Sequence, residues 1–317
     1  GRTVIFISHK LNEVLEVSDR ITVLRDGTHE VTRPTEGATA RELARLMTGE
    51  ERELDVVHRE IAGAPVLVLE KVTALNDRGM EALHEVDLTV RAGEILGIAG
   101  VSGNGQTELS EVVAAMRRVQ SGSIRVGGEE ITNASVRRVT NLGVGHIPED
   151  RIGVGMVASA PVKDNAVLHN YWGDELCHGI TLSRQGVIDF AEKLVEAARV
   201  QTRSVFATAG QMSGGNQQRL VARREALVAD RVLIAAHPTR GLDVLATQEV
   251  QTSILDRRDD GCAVLLISDD LDEVLLMSDR VAVMYEGRVM GLFDAGHADR
   301  EQIGLMMGGH PAEGPAR

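Results

Sequence analysis

Apolar residues along this chain gather into short unbroken runs separated by longer amphipathic stretches. The runs at 66–69, 95–99, 143–147, 232–236 and 264–267 are strand-sized and lack polar alternation, the pattern of strands covered on both faces. Between them, 107–117, 190–199, 216–228 and 248–257 carry the helical period. Strands alternating with helices predict an α/β domain on a largely parallel sheet. No run approaches the ~18 apolar residues of a membrane-spanning helix, so a membrane is expected to be met only through a partner.

The pattern also repeats. Residues 1–27 align with 261–287 at an offset of 260, with 13 identities in 27 positions. Both read as strand, helix, strand and turn, in the first case 4–8, 11–18, 20–24 and Asp26-Gly27, with positions 11, 14, 15 and 18 on one helical face. Further on, Arg41-Glu42 and Leu46-Met47 recur as Arg300-Glu301 and Leu305-Met306. A repeat of this size implies two copies of one domain. The expected layout is 1–50 as the end of a first copy, 51–65 as a charged linker, 66–309 as the second copy with a helical subdomain at about 153–215, and 310–317 as a tail. The chain is expected to be the C-terminal part of something longer.

Two segments in the second copy carry candidate chemistry. After the strand at 94–99 comes Gly100-Val101-Ser102-Gly103-Asn104-Gly105-Gln106-Thr107, then a helix. A glycine turn between a strand and a helix N-terminus can point several amides at a phosphate. The spacing fits G-x-x-x-x-G-K-[ST] with Gln106 in place of lysine, and no lysine occurs between Lys71 and Lys163. On glycines alone, a plain connector turn is the competing reading. The second segment, Ser213-Gly214-Gly215-Asn216-Gln217, opens another helix with a hydroxyl and two glycines.

Taken in order, the loop at 100–107, Ile147-Pro148-Glu149-Asp150-Arg151, the Ser213-Gly214-Gly215-Asn216-Gln217-Gln218 signature, Pro238-Thr239-Arg240-Gly241-Leu242-Asp243 and Ser268-Asp269 resemble the ATP-binding cassette (ABC) ATPases across residues 66–309. Ser8-His9 in the first copy is similar to the family's switch histidine. The tandem arrangement resembles the ATP-binding subunit of sugar and nucleoside importers, in which two cassettes are fused. The resemblance implies a P-loop NTPase fold with a mostly parallel sheet core, an antiparallel β part and a helical subdomain. It implies ATP and Mg2+ as ligands at Gly100, Ser102, Gly103, Asn104, Gly105, Gln106 and Thr107, with Thr107 a weak magnesium ligand. It implies transmembrane permease subunits, and through them a substrate-binding protein, as partners on the inner face of the cell membrane. Cassettes of this family pair, so Ser213, Gly214, Gly215, Asn216 and Gln217 are expected to serve the nucleotide of the complete first cassette.

Five positions depart from the active pattern that the resemblance supplies. Gln106 stands for the P-loop lysine, Ala236 for the magnesium-organising aspartate, His237 for the catalytic glutamate, Asp269 for the switch histidine and Glu149 for the loop glutamine. Losing one charge-assisted hydrogen bond costs about 1.5–3 kcal/mol, and neutral imidazole replaces poorly a carboxylate that polarises water. The second copy's own pocket is therefore expected to hydrolyse ATP weakly or not at all. A nucleotide-binding structural or regulatory module without a transport role is the alternative function.

Composition narrows the classes further. Lys plus Arg number 34 against 47 Asp plus Glu, a net charge of −13, and seven aromatic residues occur in all. Neither a basic surface nor a stacking platform is available for nucleic acid. Two cysteines rule out a disulfide framework and match a reducing, cytoplasmic compartment. Asp269, Asp270, Asp272 and Glu273 read as acids favoured in a helix's first turn rather than a metal cluster, and Cys177-His178 as packing.

Overall fold

A computed structural model describes residues 3–8, 11–25, 27–48, 56, 63–173, 176–178 and 181–310. His9 and most of the expected linker and tail lie outside the described residues. In chain order the elements are α1 (Leu11–Val17), β1 (Arg20–Arg25), β2 (Thr28–Pro34), α2 (Ala40–Thr48), β3 (Pro65–Leu75), β4 (Glu81–Arg91), β5 (Ile95–Ala99), α3 (Gln106–Val113), β6 (Val119–Val126), β7 (Glu129–Glu130), α4 (Val136–Asn141) and β8 (Val144–Ile147). After a wide turn at Arg151–Gly155 come α5 (Val162–Ala166), β9 (Cys177–His178), β10 (Thr181–Leu182), α6 (Arg184–Ala197), α7 (Gly214–Val228), β11 (Val232–Ala236), α8 (Val244–Asp259), β12 (Ala263–Ser268), α9 (Leu271–Met277), β13 (Arg280–Tyr285), β14 (Arg288–Asp294) and α10 (Arg300–Met307).

The central sheet runs β14-β13-β5-β12-β11-β8, parallel except for the β13–β14 hairpin. Every residue of β5, β11 and β12 is buried, because the sheet has a core on each face. Val232, Ile234 and Ala236 point into one core, and Leu233 and Ala235 into the other. Period-2 side-chain direction thus turns an unbroken apolar run into two interfaces. The first core is closed by a second, antiparallel sheet, β4-β3-β6-β7. The other lies under α7 and α8. The elements α5, α6 and the start of α7 enclose a separate apolar cluster that includes Val162, Ala191, Leu194, Met212 and Leu220.

The repeat is reproduced in three dimensions. α1-β1-β2-α2 mirrors α9-β13-β14-α10 at an offset of 260, and the two hairpins share a register, with Ile21 facing Arg33 as Val281 faces Phe293. Both ladders slip at the same place, after Val23 and after Val283. The offset also holds in the last helix, where Leu43 and Ile303 are the buried counterparts. The recurrences Arg41-Glu42/Arg300-Glu301 and Leu46-Met47/Leu305-Met306, which need an offset of 259, are therefore not the structural alignment.

Two expectations are corrected. Residues 4–8 form no strand, because a strand needs ladder neighbours and, among the described residues, this segment has none; its counterpart β12 is held between β5 and β11. The helix expected over 107–117 stops at Val113, and Ala115 takes a left-handed φ of 59°.

Candidate functional site

β5 delivers the chain to the glycine loop at its carboxyl end. Gly103 and Gly105 have φ of 94° and 98°, a region that L side chains rarely adopt, and a Cβ at Gly105 would lie 2.6 Å from the Ala82 carbonyl oxygen. The loop's shape is held from outside. The Glu286 amide donates to Asn104 Oδ1 and the Gly287 amide to the Asn104 carbonyl, each at 3.0 Å. Asn104, expected to face a phosphate, uses its side chain for this brace.

Gln106 lies inside the loop. It is 2% exposed, and neither its Oε1 nor its Nε2 has a hydrogen-bond partner among the described residues. A Cβ on Gly100 would come within 2.8 Å of Nε2, so glycine at 100 makes room for the amide. A buried polar group left unmatched costs about 1–3 kcal/mol; a phosphate oxygen at this place could accept from Nε2, while Oε1 would need a donor.

The other four departures converge here from distant parts of the chain. Ser268 pairs with Ala99 and Ala236 with Ile267, which brings Gly100, Asp269 and His237 side by side beyond the carboxyl ends of adjacent strands, the usual ligand edge of such sheets. Ser102 Oγ donates to Asp269 Oδ2 at 3.3 Å, and Asp269 Oδ1 lies 3.4 Å from His237 Nδ1. The His237 amide donates to the Ile267 carbonyl at 2.7 Å, with φ at 46°. Buried Ala236 ends β11 without a carboxylate. Thr107 Oγ1 donates to Glu149 Oε2 at 3.3 Å, while Arg240 donates to Glu149 Oε1 at 2.5 Å. Next to this pair, Thr107, Ser110, His146, Glu149, Asp150 and Arg240 line part of a cavity of about 350 Å³.

These residues suit one part of Mg-ATP and not the other. The loop amides, the N-terminus of α3 and the Gln106 amide fit a pair of phosphates. The metal end fits poorly: Ala236 brings no oxygen, Arg240 places a guanidinium on Glu149, and no lysine balances a third phosphate.

The second candidate segment divides into exposed and inward parts. Ser213 is exposed and caps α7, accepting from the Asn216 amide at 3.4 Å and from Asn216 Nδ2 at 2.8 Å. A Cβ on Gly214 would lie 3.2 Å from the Arg151 guanidinium. Gln217 turns inward, its Nε2 donating to the Met212 and Ala209 carbonyls at 3.2 and 3.4 Å. No hydrogen bond among the described residues joins 213–217 to 100–107.

Several residues take supporting roles that the sequence reading did not assign them. Gln218 donates to the Pro238 carbonyl at 2.8 Å, tying α7 to the segment after His237. Buried Glu273 accepts from Thr239 and Ser268 at 2.6 and 2.7 Å, with its carboxyl pushed up by burial; Asp270 caps α9. Below Glu149 lies a charged cluster. Arg224 donates to Glu225, to the Asn165 carbonyl and to the Gly155 carbonyl at 2.7, 3.0 and 2.7 Å. Glu225 also accepts from the His146 amide and pairs with His169. Burial would raise the Glu225 carboxyl, but the Arg224 charge and the His169 bond bring it down to about 2. Burial lowers His146 to about 4 against the pull of Glu225. The pair follows Arg223 in a helix that also carries Gln217, Gln218 and Arg219, so the sequence pattern gave no signal that Arg224 and Glu225 are buried.

The fold is that of an ATP-binding cassette. The ABC transporter family model matches residues 83–240, and the chain carries a cassette of that family. It is 46% identical over 314 residues to the glucose import ATP-binding protein TsgD13 of Haloferax volcanii, covering 98% of this chain and 57% of that protein. It is 38% identical over 312 residues to the nucleoside import ATP-binding protein NupA of Lactococcus lactis subsp. cremoris, covering 98% of this chain and 61% of that one. The chain thus spans about three fifths of the length of these relatives. Among solved structures, the dimeric bacterial ABC transporter cassette MJ0796 superposes with a TM-score of 0.63 at 19% identity, covering 72% of this chain and 98% of that one.

Proposed function

We propose that this chain is the C-terminal cassette, preceded by the end of another, of a tandem ATP-binding subunit that energises import of a sugar or nucleoside. The exposed apolar residues of the first segment carry this reading. Ile5, Ile7 and Leu24 are 87%, 93% and 63% exposed, while their repeat counterparts Leu265, Ile267 and Met284 are 1%, 0% and 1% exposed in a cassette core. The first segment has the surface of a cassette end whose core is elsewhere. Import is supported by the names of the relatives and by their greater length. Permease subunits, and through them a substrate-binding protein, are the partners, and the subunit is peripheral on the inner membrane face; no described helix is long and apolar enough to cross a membrane.

ATP with Mg2+ is the nucleotide of the pair. Hydrolysis belongs to the site formed by the other cassette's P-loop and this chain's Ser213, Gly214 and Gly215. The loop at 100–107 is hydrolytically silent, since Ala236 and His237 supply neither the metal-organising nor the water-polarising carboxylate. The 317-residue chain, purified alone and assayed for phosphate release with magnesium and ATP, is expected to show no turnover above background. Sustained magnesium-dependent turnover that copurifies with the chain would contradict this.

A further inference from the structure

The carboxyl edge of the sheet places a carboxylate, Asp269, against Ser102 of the glycine loop. The amides of such a loop cradle the phosphates, and the side chain at its lysine position reaches the second phosphate as well as the third. Here that side chain is Gln106, uncharged, 2% exposed and unmatched at both amide atoms. Strand pairing sets Asp269 next to Gly100, against which the Gln106 amide lies. The Asp269 carboxylate accepts a hydrogen bond from Ser102 of the loop at 3.3 Å, and the His237 imidazole stands 3.4 Å away without bonding to it.

We propose that this loop is a nucleoside diphosphate site in which Asp269 sets specificity by opposing a third phosphate. The inference rests on reading the loop as nucleotide-binding. Two phosphates meet only amides, the helix N-terminus and the Gln106 amide. A third phosphate would approach the Asp269 carboxylate without a lysine to offset it, and the two like charges repel each other. A second phosphate suffices to accept from Gln106 Nε2, so that bond does not require a third.

The test is calorimetric titration of the 317-residue chain with ADP and with ATP, repeated for Asp269→Asn and Asp269→Ala, with thermal melting to verify folding. Asp269 is 40% exposed in its side chain, so both changes leave the core intact. The wild-type chain is expected to bind ADP at least about tenfold more tightly than ATP, about 1.4 kcal/mol. Both variants should bring the two affinities within about threefold, by tightening ATP. Equal wild-type affinities, or a preference for ADP that survives in both variants, would overturn the role of Asp269 while leaving a nucleotide site. Absence of binding by either nucleotide would overturn the reading of the loop along with the inference.

Discussion

Arg224 is the side chain on which the cassette's interior charges depend. It is 2% exposed and follows the chain into a place where its neutral isostere would leave Glu225, 0% exposed, without its strongest counter-charge. It also donates to the Gly155 and Asn165 carbonyls, and so ties both the turn after Glu149 and α5 to α7. Removing one partner of a buried ion pair leaves a charge without compensation, at a cost of about 3–5 kcal/mol. Arg224→Met, which keeps most of the volume, is therefore expected to destabilise the chain by that amount in urea unfolding. A change below about 1 kcal/mol, the range of exposed pairs, would show that the cluster holds nothing together.

At the scale of elements, β8 and α7 are locked by the same cluster, and acid should loosen them. His146 has its folded-state pKa lowered to about 4 from an ordinary 6.5 by burial. Between those values the unfolded chain binds a proton that the folded chain excludes, so stability is complete above pH 6.5 and falls as pH drops toward 4. Glu225, lowered to about 2, contributes stability that is fully present above its ordinary value near 4.5 and is lost progressively as pH falls from there through 2. The pH 4–6.5 window therefore belongs to His146, worth about 3 kcal/mol across it. His146→Leu should flatten the melting temperature over this window relative to wild type. Parallel curves for the two proteins would contradict the assignment.

What could be read from the sequence also divides by element. Strands 95–99 and 232–236 were legible residue for residue, since burial on both faces leaves no polar interruption. β4 and β6 were not, because the apolar residues of β4 alternate with charged ones and those of β6 are separated by a Gln-Ser-Gly-Ser stretch. The motif spacings located the loop and the capped helix start. They could not show that Asp269 reaches Ser102, 167 positions away, or that Arg240 and Thr107 share Glu149. Those meetings are set by strand order. Nor could they separate Ser213, exposed, from Gln217, turned inward four residues on.

For the whole molecule, the proposed function divides the labour between two surfaces of one cassette: a loop proposed to hold nucleotide without hydrolysing it, and an exposed helix start proposed to complete a partner cassette's site. The full-length tandem subunit with its permease gives the direct test, through Gly214→Asp. A side chain at 214 meets only the Arg151 guanidinium at 3.2 Å, so the fold should tolerate the carboxylate, while a phosphate docking on this helix start would meet like charge in a desolvated interface. The ATPase rate should fall by about a hundredfold or more, as when a positioned phosphate or oxyanion donor is lost, with the melting temperature unchanged. Turnover retained in Gly214→Asp at the wild-type rate, with the fold intact, would contradict the assignment of the hydrolytic site to this surface.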